Sequence, residues 1–409
     1  MKKLLAILMA SAMVLTVAGC GGGGNSSSTG SESSSTPEGG EEVKFSSAMV
    51  TDVGGVNDQS FNQSAWEGIT EMVEAGKVQA QYLESTDESD YTPNLDRFSD
   101  DENIKLIWGI GYMMADAIED AAKKNPDKIY AIVDSNYPEN PQPNTIGVLF
   151  KAQEPSFEVG YIAGLMTETN NVGFVGGQKS PTIDQFDYGY RAGVAYAAKE
   201  LGKEINVDVQ YANSFSDAAI GKAIALKMYD SCDIVFHAAG NVGNGVIAAA
   251  GEKDKWVIGV DRDQYDLDPD HVLTSAVKRV GKAIQIVTEK VMNGEDLGGT
   301  TQEFTTADGC VGIAPTSDKN VPADILEKTA AIEEKIISGE IAVPYDEETY
   351  NAFIAELNAY WTQLIPVVLL AVLINPFGGL LPALGEELAW RGWLLPRLCD
   401  VLGTRKSII

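Results

Sequence analysis

Histidine, cysteine and basic residues are scarce in this chain, and each shortage excludes a class of function. Two histidines, His237 and His271, leave nothing from which to build a histidine-rich metal site. The four cysteines, Cys20, Cys232, Cys310 and Cys399, form no CxxC pair and no zinc-ligand spacing. Cys232 and Cys310 can pair only if the fold brings them together, and both are read as buried thiols. Lys plus Arg number 30 against 59 Asp plus Glu, a formal net charge of −29. That balance argues against nucleic acid as a partner and against adhesion to anionic lipid through basic patches. There is no nucleophile elbow, no Ser-His-Asp order and no metal cluster, so catalysis is not expected and no cofactor is implied. The glycine cluster Gly240-Asn241-Val242-Gly243-Asn244-Gly245 is not followed by the Lys-Ser/Thr of a phosphate loop.

What is present is the composition of a folded protein with a sizeable core, 44% hydrophobic and 22% charged over 409 residues, enough for two or three domains. The N-terminus has the form of an export signal: Lys2 and Lys3, then an apolar stretch from Leu4 to Val17. It ends in Val17-Ala18-Gly19-Cys20, which resembles a bacterial lipobox and marks Cys20 for lipidation. Diacylglyceryl and N-acyl chains on Cys20 would supply two or more hydrocarbon anchors, enough for stable attachment to a cell membrane. Residues 21–42 are Gly, Ser, Thr and acidic residues with almost nothing to bury, a flexible tether. A coil of that length spans roughly 25 Å.

From Val43 the pattern alternates. β-like runs at Val43–Val50, Val78–Leu83, Lys105–Ile110, Lys128–Asp134 and Thr145–Phe150 are separated by helical patterns such as Trp66–Ala75 and Met113–Lys123. A second series, Val172–Gly176, Val207–Ala212, Ile234–Ala238 and Trp256–Asp261, alternates with Gly189–Leu201, Ala218–Tyr229 and Val246–Glu252. Strands alternating with helices of this length predict parallel βαβ sheets, and two sets predict two lobes. The first lobe is expected over about 43–150 and 271–320, the second over about 151–270. His271–Lys278, Gly281–Met292 and Val311–Ala314 are thus expected to return to the first lobe, giving two crossings, a hinge and a cleft. Pro322–Ser338 and Glu347–Leu357 read as closing helices.

The most informative stretch is TDVGGVNDQSFNQSAWEG, Thr51 to Gly68. A β-branched run feeds a glycine-broken polar turn, and a helical pattern starts near Phe61. Open α/β sheets bind ligands at such strand ends, although Asp, Asn and Ser also cap helices. Candidate cleft residues in the first lobe are Asp52, Asn57, Asp58 and Phe61 after its first strand, Trp108 near its third and Asp134 after its fourth. The second lobe offers Phe186, Phe215 in YANSFSD, Gly240 in VFHAAGNVGNG and Asp261 in WVIGVDRDQ, and Lys278 closes TSAVK. Each has a plainer reading as helix cap or core.

The stretch from about Val43 to Leu357, more than three quarters of the chain, resembles the basic membrane protein family of solute-binding lipoproteins, the purine-nucleoside receptors among them. TDVGGVNDQSFNQSAWEG, FKAQEPSFEVGYIAG, GFVGG, FDYGYRAGV, VFHAAG and WVIGVDRDQ carry the resemblance. It implies a type I periplasmic-binding fold that delivers a solute to an ABC permease. It also implies ligand contacts at Asp52, Phe61, Asp134, Gly240, Asp261 and Lys278, with Phe186 and Phe215 beside them. The implied ligand is a purine nucleoside, whose base suits aromatic faces and whose N–H and hydroxyl groups suit carboxylates. A receptor for another small solute, a sugar or signalling molecule, is the alternative.

After Asn358 the composition changes. No charged residue occurs from Leu357 to Gly385, and Leu364–Leu384 is long enough to span a bilayer, though Pro366, Pro376 and Pro382 interrupt it. GEELAWRGW follows, and residues 359–409 resemble a truncated CAAX-processing or bacteriocin-immunity type intramembrane protease with its EExxxR motif at Glu386, Glu387 and Arg391. Neither histidine of the chain lies after Asn358, so this remnant is expected to be inactive; a further alternative for the whole chain is an ectodomain fused to this inactive intramembrane protease. Arg391, Arg397, Arg405 and Lys406 follow the apolar run and place the C-terminus in the cytoplasm and the binding domain outside. The abrupt change reads as a fusion or join near Asn358 rather than a second anchor.

Overall fold

Six-residue runs such as Ser46–Thr51 and Asn171–Gly176 are buried at every residue but the first, the signature of parallel strands covered by helices on both faces. A computed structural model, describing residues 45–359 and 394–402, assembles these runs into two six-stranded sheets. The first comprises β1 (Ser46–Thr51), β2 (Gln79–Leu83), β3 (Ile104–Ile110), β4 (Ile129–Val133), β5 (Thr145–Phe150) and β11 (Thr300–Phe304), in the order β11-β5-β4-β3-β1-β2. The second comprises β6 (Asn171–Gly176), β7 (Asn206–Tyr211), β8 (Ile234–Ala238), β9 (Trp256–Asp261), β10 (Val272–Lys278) and β12 (Val311–Ile313), in the order β12-β10-β9-β8-β6-β7. All pairs are parallel except β10 with β12.

Helices α1 (Phe61–Glu74), α2 (Tyr91–Ser99) and α3 (Ala115–Lys124) cover the first sheet, and α4 (Gln153–Met166), α5 (Pro181–Leu201), α6 (Ala218–Met228) and α7 (Asn241–Lys253) cover the second. Helix α8 (Val280–Met292) returns to pack on α1. α9 (Ala323–Ile337) and α10, residues 347–359, close over α4 and α5 through Ile332, Ile336, Tyr350 and Phe353. α4 and α5 approach closely because each carries glycines at the crossing: a side chain at Gly193 would collide with the Phe157 carbonyl. A short helix, α11 (Leu395–Leu402), lies near the C-terminus.

The lobe boundaries differ from the sequence-based expectation. β10 and β12 belong to the second sheet, not the first, while β11, which was not anticipated, completes the first. The chain therefore crosses between lobes three times, at residues 150–153, 278–280 and 304–311, rather than twice. The polar edge sequence TTQEF of β11 hid it, since an edge strand exposes one side and lacks the apolar run of a central one. The crossings are tied together: Lys151 N donates to Phe304 O (2.9 Å), Arg279 N to Cys310 O (2.8 Å) and Thr306 N to Glu154 Oε2 (2.8 Å).

Cys232 and Cys310 are both free and buried, one in the core of each lobe. The expected membrane segment Leu364–Leu384, the lipidation candidate Cys20, and Glu386, Glu387 and Arg391 lie outside the described residues. Among the described residues no helix is long and apolar enough to cross a membrane.

One turn beyond Glu154 on α4, Glu158 is 1% exposed and neither carboxyl oxygen has a hydrogen-bond partner among the described residues. Burial pushes its pKa well above the carboxylate range, Glu333 and Glu154 push the same way, and only Arg279 opposes. A raised folded-state pKa means that the folded chain retains a proton that the unfolded chain releases, so Glu158 costs stability as pH rises above about 4.5. Glu158→Gln should therefore unfold at the same temperature as the parent near pH 4 and increasingly above it toward pH 7, the gap widening by up to about 1.4 kcal/mol per pH unit. Thermal unfolding across that range checks it; a gap that does not change with pH would contradict it.

Candidate functional site

The two lobes place corresponding parts at the carboxyl ends of their strands. The third strand of each sheet is followed by a positive-φ glycine that opens a helical turn, Gly111 (φ 114°) after β3 and Gly240 (φ 55°) after β8. The fourth strand of each leads to a positive-φ aspartate, Asp134 after β4 and Asp261 ending β9, both at φ 64°. Positive φ is uncommon for any residue but glycine, and such conformations concentrate at ligand clamps. These four positions line one cavity between the lobes, with an empty volume of about 520 Å³, part of it open to solvent.

Lys278, the last residue of β10, is 2% exposed and sits at the seam. Its Nζ donates to Asp134 Oδ2 of the opposite lobe at 2.6 Å and lies 3.9 Å from Asp261 Oδ1. Three aromatic rings surround the same ammonium, with centroids 4.4 Å (Phe61), 5.5 Å (Phe150) and 5.5 Å (Phe186) away. Two carboxylates and three ring faces compensate a charge removed from water. Asp261 Oδ2 also accepts from Ser60 Oγ across the cleft at 2.5 Å. Burial pushes Asp261 up to about 6 in spite of Lys278 and Ser60, which pull it down.

Asp52, past the end of β1, is held by its own turn. Its Oδ1 accepts from Gly54 N (2.9 Å) and Asn62 Nδ2 (2.8 Å), while Oδ2 has no hydrogen-bond partner among the described residues. A Cβ at Gly111 would come within 2.8 Å of that Oδ2, which is one reason the position is glycine. Burial pushes Asp52 up to about 6 against the lowering bonds from Asn62 and Gly54. Phe215 stands across the cleft with its ring edge-on to Tyr112, centroids 6.5 Å apart. The cleft thus combines partly unsatisfied carboxylates from both lobes with aromatic walls and one ammonium.

Of the residues singled out from sequence, Asp52, Asp58, Phe61, Asp134, Phe186, Phe215, Gly240, Asp261 and Lys278 all line this cavity. Asn57 does not: it is exposed at the outer bend of the turn. Trp108 is wholly buried in the first lobe's core and also stays out of the lining. Sequence reasoning missed Asn62 and Tyr112, although Asn62 directly follows Phe61 and Tyr112 stands two residues past the expected strand Lys105–Ile110. It also missed a polar latch along one rim of the cleft, formed by Arg262 and Gln264 just after Asp261 and by Asn244 of α7. Gln264 Nε2 donates to Gln59 O (2.9 Å), Arg262 Nη2 to Glu67 Oε1 (3.0 Å), and Asn244 Nδ2 to Asp58 O (3.1 Å).

The model of a family described as Bmp, ABC transporter substrate-binding protein PnrA-like, matches residues 45–347. The chain belongs to the Bmp family. The CD4+ T-cell-stimulating antigen of Listeria monocytogenes is 42% identical over 322 residues, covering 73% of this chain and 88% of that protein. The ABC transporter nucleoside-binding protein BmpA of Lactococcus lactis is 39% identical over 320 residues, with 73% and 88% covered. Among solved structures, an ABC transporter solute-binding protein from Aeropyrum pernix superposes with a TM-score of 0.68 at 26% identity, covering 77% of this chain and 98% of its own. The chain is therefore a Bmp-family ABC transporter solute-binding protein with a periplasmic-binding-like fold, and its homologues are binding proteins rather than enzymes. The protease resemblance read at Glu386, Glu387 and Arg391 is not shown by these comparisons.

Replacing Lys278 by Met leaves Asp134 and Asp261 buried without their cation. Lys278→Met should lower stability by about 3–5 kcal/mol at pH 7.5. The loss should shrink toward pH 5, because Asp261, already pushed up to about 6 by burial, then takes up a proton. Denaturant unfolding at the two pH values checks this; equal losses at both would contradict it.

Proposed function

We propose that this Bmp-family protein captures a purine nucleoside between its lobes and presents it to an ABC permease from the outer face of a cell membrane, anchored through lipidated Cys20. The observation that carries the ligand assignment is the set of partly unsatisfied carboxylates, Asp52, Asp134 and Asp261, framed by Phe61, Phe186 and Phe215 in one cavity. Ring faces of that kind hold a planar base, and carboxylates accept from its N–H groups and from ribose hydroxyls. A ligand lacking those donors would leave buried acceptors unpaired, which gives the site its selectivity. The nucleoside-binding name of the Lactococcus lactis relative points the same way. The hinge crossings and the rim latch supply the closing motion, which excludes water from the bound ligand. Nothing in this reading requires a chemical step.

Guanosine, inosine and adenosine should each raise the melting temperature of the purified chain, since a ligand that binds only the folded state stabilises it. Ribose should not. If ribose alone stabilised it, the ligand would be a sugar; if none did, the nucleoside reading would be wrong. The pH dependence is a second check. Asp52 and Asp261, both pushed up to about 6, accept through both oxygens and with full negative charge only when ionised, and protonation turns one of those acceptors into a donor. Affinity should be flat above pH 7 and weaken below about pH 6 by up to about tenfold per pH unit for each carboxyl that must lose its proton. Calorimetric titration from pH 5 to 8 measures it.

A further inference from the structure

Asp58 is 1% exposed and lines the cavity, yet it has nothing left to offer a ligand. Its Oδ1 accepts from Ser60 N (2.9 Å) and Gln63 N (3.1 Å), and its Oδ2 from Asn62 N (2.8 Å) and Asn62 Nδ2 (3.0 Å). A carboxylate has about four acceptor positions, and all are filled. The backbone bonds occupy the N-terminal end of α1, where free N–H groups and the helix dipole would otherwise favour a phosphate. Ser60, the N-cap residue, makes no side-chain cap bond there, so Asp58 supplies the capping carboxylate. Asn62 Nδ2 bridges this carboxylate to Asp52 Oδ1 at 2.8 Å, setting two buried acids side by side. The lysine of the lining, Lys278, is committed to Asp134 and Asp261.

We infer that Asp58 is a specificity residue: it fills the anion position of α1 from within and, with Asp52, makes the cleft refuse a ligand that carries a phosphate. The inference rests on the nucleoside reading and narrows it, since the protein then takes the nucleoside and rejects the nucleotide made from it. A phosphate brought into this cleft meets fixed negative charge, no uncommitted cation in the lining, and the N–H groups of Ser60, Asn62 and Gln63 already in use. Like-charge contact of this kind suppresses a wrong ligand without any need to improve the right one.

The test uses the purified full chain at pH 7.5 with guanosine, its 5′-O-methyl ether and guanosine 5′-monophosphate, and separately with inorganic phosphate. The methyl ether should bind within about tenfold of guanosine, while the monophosphate binds roughly 100-fold more weakly or worse. Inorganic phosphate should leave the melting temperature of the parent unchanged and raise that of Asp58→Ser, whose α1 N–H groups are released. Monophosphate binding as tightly as the methyl ether would overturn the inference. So would a methyl ether that binds as poorly as the monophosphate, because shape rather than charge would then exclude both. If guanosine itself does not bind, the nucleoside reading fails, and the phosphate response of Asp58→Ser against the parent still decides the role of Asp58. Should Asp58→Ser not fold, the ligand series on the parent decides it.

Discussion

A buried ammonium sits at the seam between the two halves of this molecule and bonds across it. Lys278 belongs to the second sheet, is almost wholly buried, and bonds to an aspartate of the first. A lysine in such a place is tolerated only where carboxylates and ring faces replace its water, and Asp134, Asp261, Phe61, Phe150 and Phe186 are arranged around it to do so. The same constraint works in reverse. The buried aspartates of the cleft stay available as acceptors because one cation and a few fixed N–H donors offset part of their charge. The cleft is therefore an electrostatic compromise, and its ligand has to complete the bonding that the protein leaves open.

The symmetry of the two sheets explains how a single chain places these groups. Each sheet carries its switch in strand order between the first and third of its strands, and loops at that edge face the seam. Gly111 with Gly240, and Asp134 with Asp261, occupy matching strand ends and share positive φ. Such backbone strain persists only when the surrounding structure holds it, and here it directs two carboxylates from opposite sides toward one ammonium. The seam is reinforced on one rim by the latch of Arg262, Gln264 and Asn244.

Much of this was legible in the sequence, and the reasons for the rest are physical. Thr145–Phe150, Ile234–Ala238 and Trp256–Asp261 were recognisable to the residue, because central parallel strands are unbroken apolar runs. The cleft aspartates were visible because they stand directly after such runs. What stayed hidden depends on partners distant in sequence. No local pattern says that β10 pairs with β9 rather than returning to the first sheet, nor that the polar segment of β11 is an edge strand. Asn57 and Asp58 look alike in the turn, yet one faces solvent and the other caps α1. Arg262 and Gln264 read as ordinary loop residues until the opposite lobe supplies Glu67 and Gln59.

The central claim is that a purine nucleoside completes the bonding left open around Lys278. A crystal structure of the chain grown with guanosine tests it most directly. The account predicts the base against the aromatic walls of Phe61 and Phe215, with ligand N–H or hydroxyl groups within hydrogen-bond distance of Asp52, Asp134 and Asp261. Density for guanosine outside this cleft, or a bound ligand that touches none of the three carboxylates, would contradict it.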